Sequence, residues 1–202
     1  MDARRRIIIG ISGASAPHYG VRLLEVLGQD PLVETHLILS SGARATIEYE
    51  MRRDPEEIMR LADVVHDERA MGDSIASGTF VTDGMVIAPC SIKTLSAVAN
   101  CYNDTLMSRS ADVCLKERRR LVLVVRETPL HAGHLQLMLQ ATQAGAVILP
   151  PVPAFYHRPE TIQELIDHTT VKVLDQFGLH TDLIRRWAGV PRESKTTSSG
   201  GS

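Results

Sequence analysis

Short unbroken apolar runs alternate along the chain with longer stretches in which apolar residues recur every three or four positions. The runs are "RRIIIGIS" (5–12), "VETHLILS" (33–40), "DGMVIAPC" (83–90), "RLVLVV" (120–125) and "GAVILP" (145–150). They are rich in Val, Ile and Leu and lack clean alternation, as parallel strands covered on both faces do. The stretches between them read as helices. "HYGVRLLEVLGQ" sets Val21, Leu24 and either Leu23 or Leu27 on one face and nears its end at Gly28. "DPEEIMRLADVV" opens on Asp54 as N-cap with Pro55 at the first helical position. "KTLSAVANC" and "SRSADVCLKERRR" follow, then a helix within 127–145 closed by Gly145 and one within 158–178 closed by Gly178. The alternation predicts a single-domain α/β fold over residues 1–190, an open doubly wound parallel sheet. "PRESKTTSSGGS" (191–202) reads as a flexible tail.

Composition narrows the function classes. The 202 residues carry a formal net charge of −2, with 23% charged and 44% hydrophobic residues. Nothing in that balance calls for nucleic acid. The apolar runs are too short to span a membrane, and the N-terminus does not read as a secretory signal, so a cytoplasmic protein is expected. Cys90, Cys101 and Cys114 lack metal-ligand or disulfide spacing. Cys90 reads as a buried structural thiol, since no His/Asp partner pattern accompanies it.

Ligands of open α/β sheets bind beyond the carboxyl ends of the strands, so the residues after each run carry the chemistry. "GISGAS" offers Gly10, Gly13 and Ser15 before a helix, which suits either an anion cradle or a tight turn. It is neither a P-loop nor a dinucleotide fingerprint. Ser40 reads as a helix cap or a ligand contact, and Glu50 as a solvated helix residue. Ser77 and Gly78 lie in a small-residue loop that suits a nest or a plain turn. Ser91 and Thr94 fall where a helix starts, with Lys93 beside them. Lys116 and the arginines after it complement a helix C-terminus. Arg126 and Glu127, adjacent and opposite in charge, read as an ion pair closing the fourth run, and a proline-rich loop carries Tyr156. Glycine, serine and threonine beside helix starts at three strand ends, with an arginine at a fourth, point to a nucleotide or flavin at the sheet edge.

The blocks "GISGAS", "APCSIKTL", "SGTFVTDGMVIAPCS", "ADVCLKERRRLVLVVRETPLH", "GAVILPPVPAFYHRP" and "LDQFG" resemble the flavin prenyltransferase (UbiX/Pad1) family over roughly residues 6–189. Within that family they look most like the subgroup found with phenolic-acid and hydroxybenzoate decarboxylases. The resemblance implies a flavodoxin-like or Rossmann-like fold and a homododecamer. It implies metal-independent transfer of a dimethylallyl group from dimethylallyl phosphate to N5 and C6 of reduced FMN. It also implies delivery of the prenylated FMN to a UbiD-type decarboxylase. Matched by motif, Gly13, Ala14, Ser15, Ser40, Ser91, Ile92, Lys93, Thr94 and Arg126 would contact FMN. Ser77, Lys116, Arg126, Tyr156 and Lys172 would hold the isoprenyl phosphate. Ser15, Glu50 and Glu127 would be catalytic, Glu127 handling a proton beside the phosphate and Ser15 polarising the flavin near N5. Such types suit the chemistry, because phosphate departure needs cations and donors around the leaving group.

Three positions depart from the family pattern. Ala16 and Pro17 follow Ser15 where many members have Gly, which predicts a reshaped first loop. Lys172 stands where Arg is usual and loses the bidentate fork. No aromatic residue lies between Glu57 and Thr79. Two other readings accompany this one: a non-catalytic carrier of FMN or prenylated FMN, and a flavin-dependent cysteine decarboxylase relative.

Overall fold

A computed structural model describes residues 4–187 and 189; the expected tail, 191–202, lies outside the described residues. Six strands form one parallel sheet: β1 (Arg5–Ile11), β2 (Val33–Leu39), β3 (Val64–His66), β4 (Gly84–Cys90), β5 (Arg120–Val125) and β6 (Val147–Ile148). Their order is β3-β2-β1-β4-β5-β6. The chain therefore leaves β1 in one direction, through β2 and β3, and returns to the other side of β1 with β4. Such a reversal opens a crevice at the carboxyl ends of β1 and β4.

Alternate strand residues serve opposite faces, so both faces need cover. Ile7, Ile9 and Ile11 of β1 pack with Leu24 of helix α1 (His18–Leu27) and Leu174 of helix α7 (Ile162–Gln176). Ile8, Met85, Leu121 and Leu123 pack on the other face with α4 (Ile92–Ala99), α5 (Leu106–Lys116) and α6 (Ala132–Ala144). Helices α6 and α7 are followed by Gly145 and Gly178 at φ 112° and 66°, the left-handed stop that their glycines predict. Cys90 is fully buried and burial pushes its thiol up, as a structural cysteine requires.

Two elements correct the sequence reading. The helix expected over 54–65 stops early: α3 covers only Pro55–Met59, and Val64–His66 form the edge strand β3. Asp63 makes the change. Its carboxylate accepts from Thr35 N and Thr35 Oγ1 at 2.8 and 3.0 Å, and its own amide donates to Thr35 Oγ1 at 3.0 Å. These contacts with β2 are far apart in sequence and outweigh local helical periodicity. After β2, α2 (Ser41–Thr46) widens into a π-helical turn, Ile47–Met51, that closes at Arg52 in the left-handed region. Among the described residues no helix is long and apolar enough to cross a membrane.

Candidate functional site

At the crevice, Ser12 joins the two central strands. Its Oγ donates to Pro89 O at 2.7 Å and accepts from Ser91 N at 2.8 Å, while its amide donates to Pro89 O at 3.2 Å. The buried hydroxyl thus sets the spacing of the two strand ends. The sequence reading passed over Ser12; its only signal is a hydroxyl immediately after the first apolar run.

A cleft of about 360 Å³ opens beside this junction. Ser40, Ser91 and Thr105 cap α2, α4 and α5, accepting from Ala43 N, Thr94 N and Ser108 N. All three capping residues line the cleft, so three helix N-termini meet there. Unpaired amides and the positive ends of helix dipoles make such a place favourable for an anion. The floor is bare backbone. A Cβ on Gly13 would come within 3.0 Å of Gly42 Cα, and one on Gly42 within 3.1 Å of Gly13 Cα. The cleft can therefore admit a flat ligand close to the chain. Ser91 Oγ and Thr94 Oγ1 lie 3.0 Å apart, and Lys93 lies exposed beside them. Glu68, also passed over in sequence, lines the cleft and accepts from Ser41 N at 3.1 Å.

Glu50 is more than a solvated helix residue. The π turn aims its carboxylate at the first loop, where Oε2 accepts from Ala16 N at 2.8 Å. Ala16 has φ 68°, so the loop keeps a left-handed residue even though alanine replaces glycine. The reshaping expected from the sequence at that residue gives way to strain.

The fourth strand end differs from expectation too. Arg126 and Glu127 are both exposed and do not pair with each other; Glu127 Oε1 accepts from Thr128 N at 3.0 Å. Arg126 faces the α1 and α7 side instead. Burial pushes the Tyr19 hydroxyl up, against the opposing influence of Thr169 and then Arg126. Further along α7, His168 Nε2 lies 2.8 Å from the Tyr156 hydroxyl, and His157 stacks on His168 with centroids 5.0 Å apart. Burial, then His157 and Lys172, push the His168 imidazole down. Arg126, Tyr156 and Lys172 thus gather around α7. No sequence signal pointed to His168.

Ser77 and Lys116 lie elsewhere. Lys116 ends α5 four residues before β5 begins, whereas Arg126 directly follows the end of β5. The strand between them spans roughly 20 Å. Lys116 and Glu117 form an ion pair that rests against Gly78, so Ser77 shares this opposite edge. Arg109 Nε donates to Ala76 O at 3.1 Å, and Arg119 donates to Phe80 O at 2.9 Å and Gly78 O at 2.5 Å. One chain therefore brings the five expected phosphate ligands into two groups at opposite edges of the sheet, not into one site.

Comparison with known proteins bears on what occupies these places. A family model described as Flavoprotein matches residues 1–173. A flavin prenyltransferase UbiX of Thauera aromatica is 58% identical over 184 residues, 91% of this chain and 94% of its own length. The structure of AnUbiX (PadA1) in complex with FMN and dimethylallyl pyrophosphate superimposes with a TM-score of 0.91 at 49% identity, covering 93% of this chain and 100% of that one. A dodecameric FMN-dependent UbiX-like decarboxylase from Escherichia coli O157:H7 gives 0.89 at 46% identity, covering 91% and 100%.

Proposed function

Because this chain belongs to the flavin prenyltransferase family of flavoproteins, we propose that it transfers a dimethylallyl group from dimethylallyl phosphate to reduced FMN. The carbon–oxygen bond of the donor breaks and phosphate leaves. Isoprenoid C1 is joined to flavin N5 as N5 gives up its proton; the isoprenoid double bond then takes a proton at C2, and C3 is joined to C6, which loses its own proton as the fourth ring closes. The observation that carries this reading is the meeting of three capped helix N-termini over the Gly13–Gly42 floor, beside the junction of β1 and β4.

FMN is a substrate in this reaction, and the residues present fit it. Gly13, Ala14, Ser15, Ser40 and Ser91 through Thr94 stand at the cleft or on the loops that form it, offering amides and hydroxyls to a phosphate-bearing flat molecule. Arg126 would stand at its edge. The isoprenyl phosphate needs cations on the leaving oxygen. Arg126, Tyr156 and Lys172 supply one half of that site. Ser77 and Lys116 supply the other from a neighbouring copy, because their own sheet holds them at the far edge. The assembly is a homododecamer, and such an arrangement puts exposed apolar residues such as Phe155, Leu135 and Leu139 against other copies.

Glu127, exposed next to Arg126, handles the proton that must leave flavin C6, with the departing phosphate as the other available base. Ser15 stands on the loop that Glu50 anchors, so Glu50 acts by positioning. The product passes to a UbiD-type decarboxylase in the cytoplasm. The carrier reading drew on Lys172 and on the altered first loop, and that loop retains its left-handed residue at Ala16.

The test is direct. Purified protein is incubated with reduced FMN and either dimethylallyl phosphate or the diphosphate, and the bound flavin is weighed by mass spectrometry. A gain of one prenyl group is expected with the monophosphate. Unmodified FMN in saturated, folded protein with both donors would leave the carrier reading standing.

A further inference from the structure

The loop that joins β6 to α7 carries Tyr156 near its middle, and its backbone has little to hold it. Pro150, Pro151, Pro153 and Pro159 have no amide hydrogen to donate. At the two ends, Leu149 N donates to Leu123 O at 2.9 Å and Glu160 N to Glu164 Oε2 at 2.6 Å. Between them the backbone bonds stay within the loop: Val152 N donates to Pro150 O at 2.8 Å and Arg158 N to Phe155 O at 3.0 Å. Among the described residues, a single hydrogen bond joins residues 150–159 to another element. It runs between the Tyr156 hydroxyl and His168 Nε2, 2.8 Å apart. Burial does not fix Tyr156, which is 57% exposed.

His168 is a firm anchor. It is only 9% exposed, within the buried stretch Ile166, Asp167, His168, Thr169 and Thr170 of α7. The Thr161–Glu164 capping box sets the start of that helix. Next to His168, Asp167 Oδ1 accepts from Arg22 Nε of α1 at 2.7 Å, which ties this turn to the body of the fold. His157 lies parallel to the His168 ring, with 5° between planes and 5.0 Å between centroids. The Tyr156 ring meets His157 and His168 edge-on at 5.5 and 5.7 Å. Helix and stack together fix the imidazole. Lys172 follows one turn later on the same face of α7.

The direction of the bond follows from the hydrogens available. A phenol has one, and an anionic phosphate oxygen only accepts. If Tyr156 donates to His168, it turns only lone pairs toward a phosphate. If His168 donates from Nε2, the hydroxyl keeps its hydrogen for the phosphate. Burial, then His157 and Lys172, push the His168 imidazole down. The ring is therefore neutral, with one hydrogen on one of its two nitrogens.

We infer that His168 is the positioning residue for Tyr156: with its hydrogen on Nε2 it donates to the phenol oxygen, ties the loop to α7 and leaves the Tyr156 hydrogen for an oxygen of the departing phosphate. A donor oriented before the charge develops has less to reorganise when it does. His168 acts through Tyr156, since the nitrogen that faces the loop is spent on the phenol. The donation to phosphate rests on the reading of Tyr156 as a phosphate ligand; the tie between loop and helix stands on the hydrogen bond alone.

Two measurements on the full-length protein test this. Magic-angle-spinning spectra of protein labelled at the histidine ring nitrogens need no substrate. The His168 ring, identified by its loss in His168→Gln, should be neutral with hydrogen on Nε2. Hydrogen on Nδ1, or a charged ring, would overturn the donation. Steady-state kinetics of prenyl transfer form the second. His168→Phe keeps a flat ring against His157 but no donor, and should lower kcat/KM for dimethylallyl phosphate roughly tenfold, with FMN affinity level. His168→Gln, whose amide nitrogen donates from near the same place, should recover most of that loss. In a Tyr156→Phe background the further change on His168→Phe should be no more than about twofold, because the hydroxyl it serves is gone. A full tenfold loss there, or no loss with Tyr156 present, would refute the positioning role. If wild-type protein forms no prenylated product, the proposed function fails while the spectra still decide the hydrogen.

Discussion

Ala16 adopts φ 68°, a region that costs an L-residue about 1–2 kcal/mol. Glu50 holds it there through its amide. Ala16→Gly should raise stability by roughly 1 kcal/mol in urea unfolding, part of the relief being offset by the freer unfolded chain, and should leave FMN affinity intact. The departure from the glycine pattern was visible in the sequence; the partner that keeps the alanine in place was not, because it arrives from a π turn thirty-four residues away. At Glu127 the expectation is kinetic. Glu127→Gln should retain FMN but lose turnover, measured as product formed per bound flavin, since the amide cannot take a proton. Normal turnover would assign the proton to another base.

Among the elements, Ser12 shows how much one hydroxyl can control. Ser12→Ala removes the donor to Pro89 O and the acceptor for Ser91 N in a buried place. The expected cost is about 1–3 kcal/mol in thermal or denaturant unfolding, with weaker flavin binding because β1 and β4 lose their spacing. Five of the six described strands were legible as apolar runs, and α7 was legible too, its Thr161 and Glu164 forming a capping box. The edge strand β3 was not. It has three residues and is specified by Asp63 reaching Thr35 on β2, a pairing invisible to local periodicity. The caps at Ser40 and Ser91 were legible as caps; that they meet α5 at one cleft depends on strand order, which only the folded chain reveals.

For the whole molecule, the separation of Lys116 from Arg126 by the length of β5 makes an assembly-level prediction. Lys116→Ala and Arg126→Ala should each abolish transfer. Mixed in equal parts, unfolded and reassembled together, they should recover about a quarter of wild-type activity, because one site in four draws both intact residues from different copies. If each site lay within one chain, every site in the mixture would carry a defect, and the assay would remain silent. The family resemblance nominated the individual residues as phosphate ligands, but their placement at opposite ends of β5 was not legible, since a motif carries no record of which copy supplies it.

That division has a thermodynamic consequence. In the proposed arrangement each chain carries the cleft at β1 and β4 that would receive the flavin, but only part of the place where phosphate would depart. Flavin uptake should then follow a one-site isotherm at any protein concentration, while turnover should follow mass action among chains. Diluted below its assembly constant, the protein should hold flavin without turning it over, and concentration alone should restore transfer.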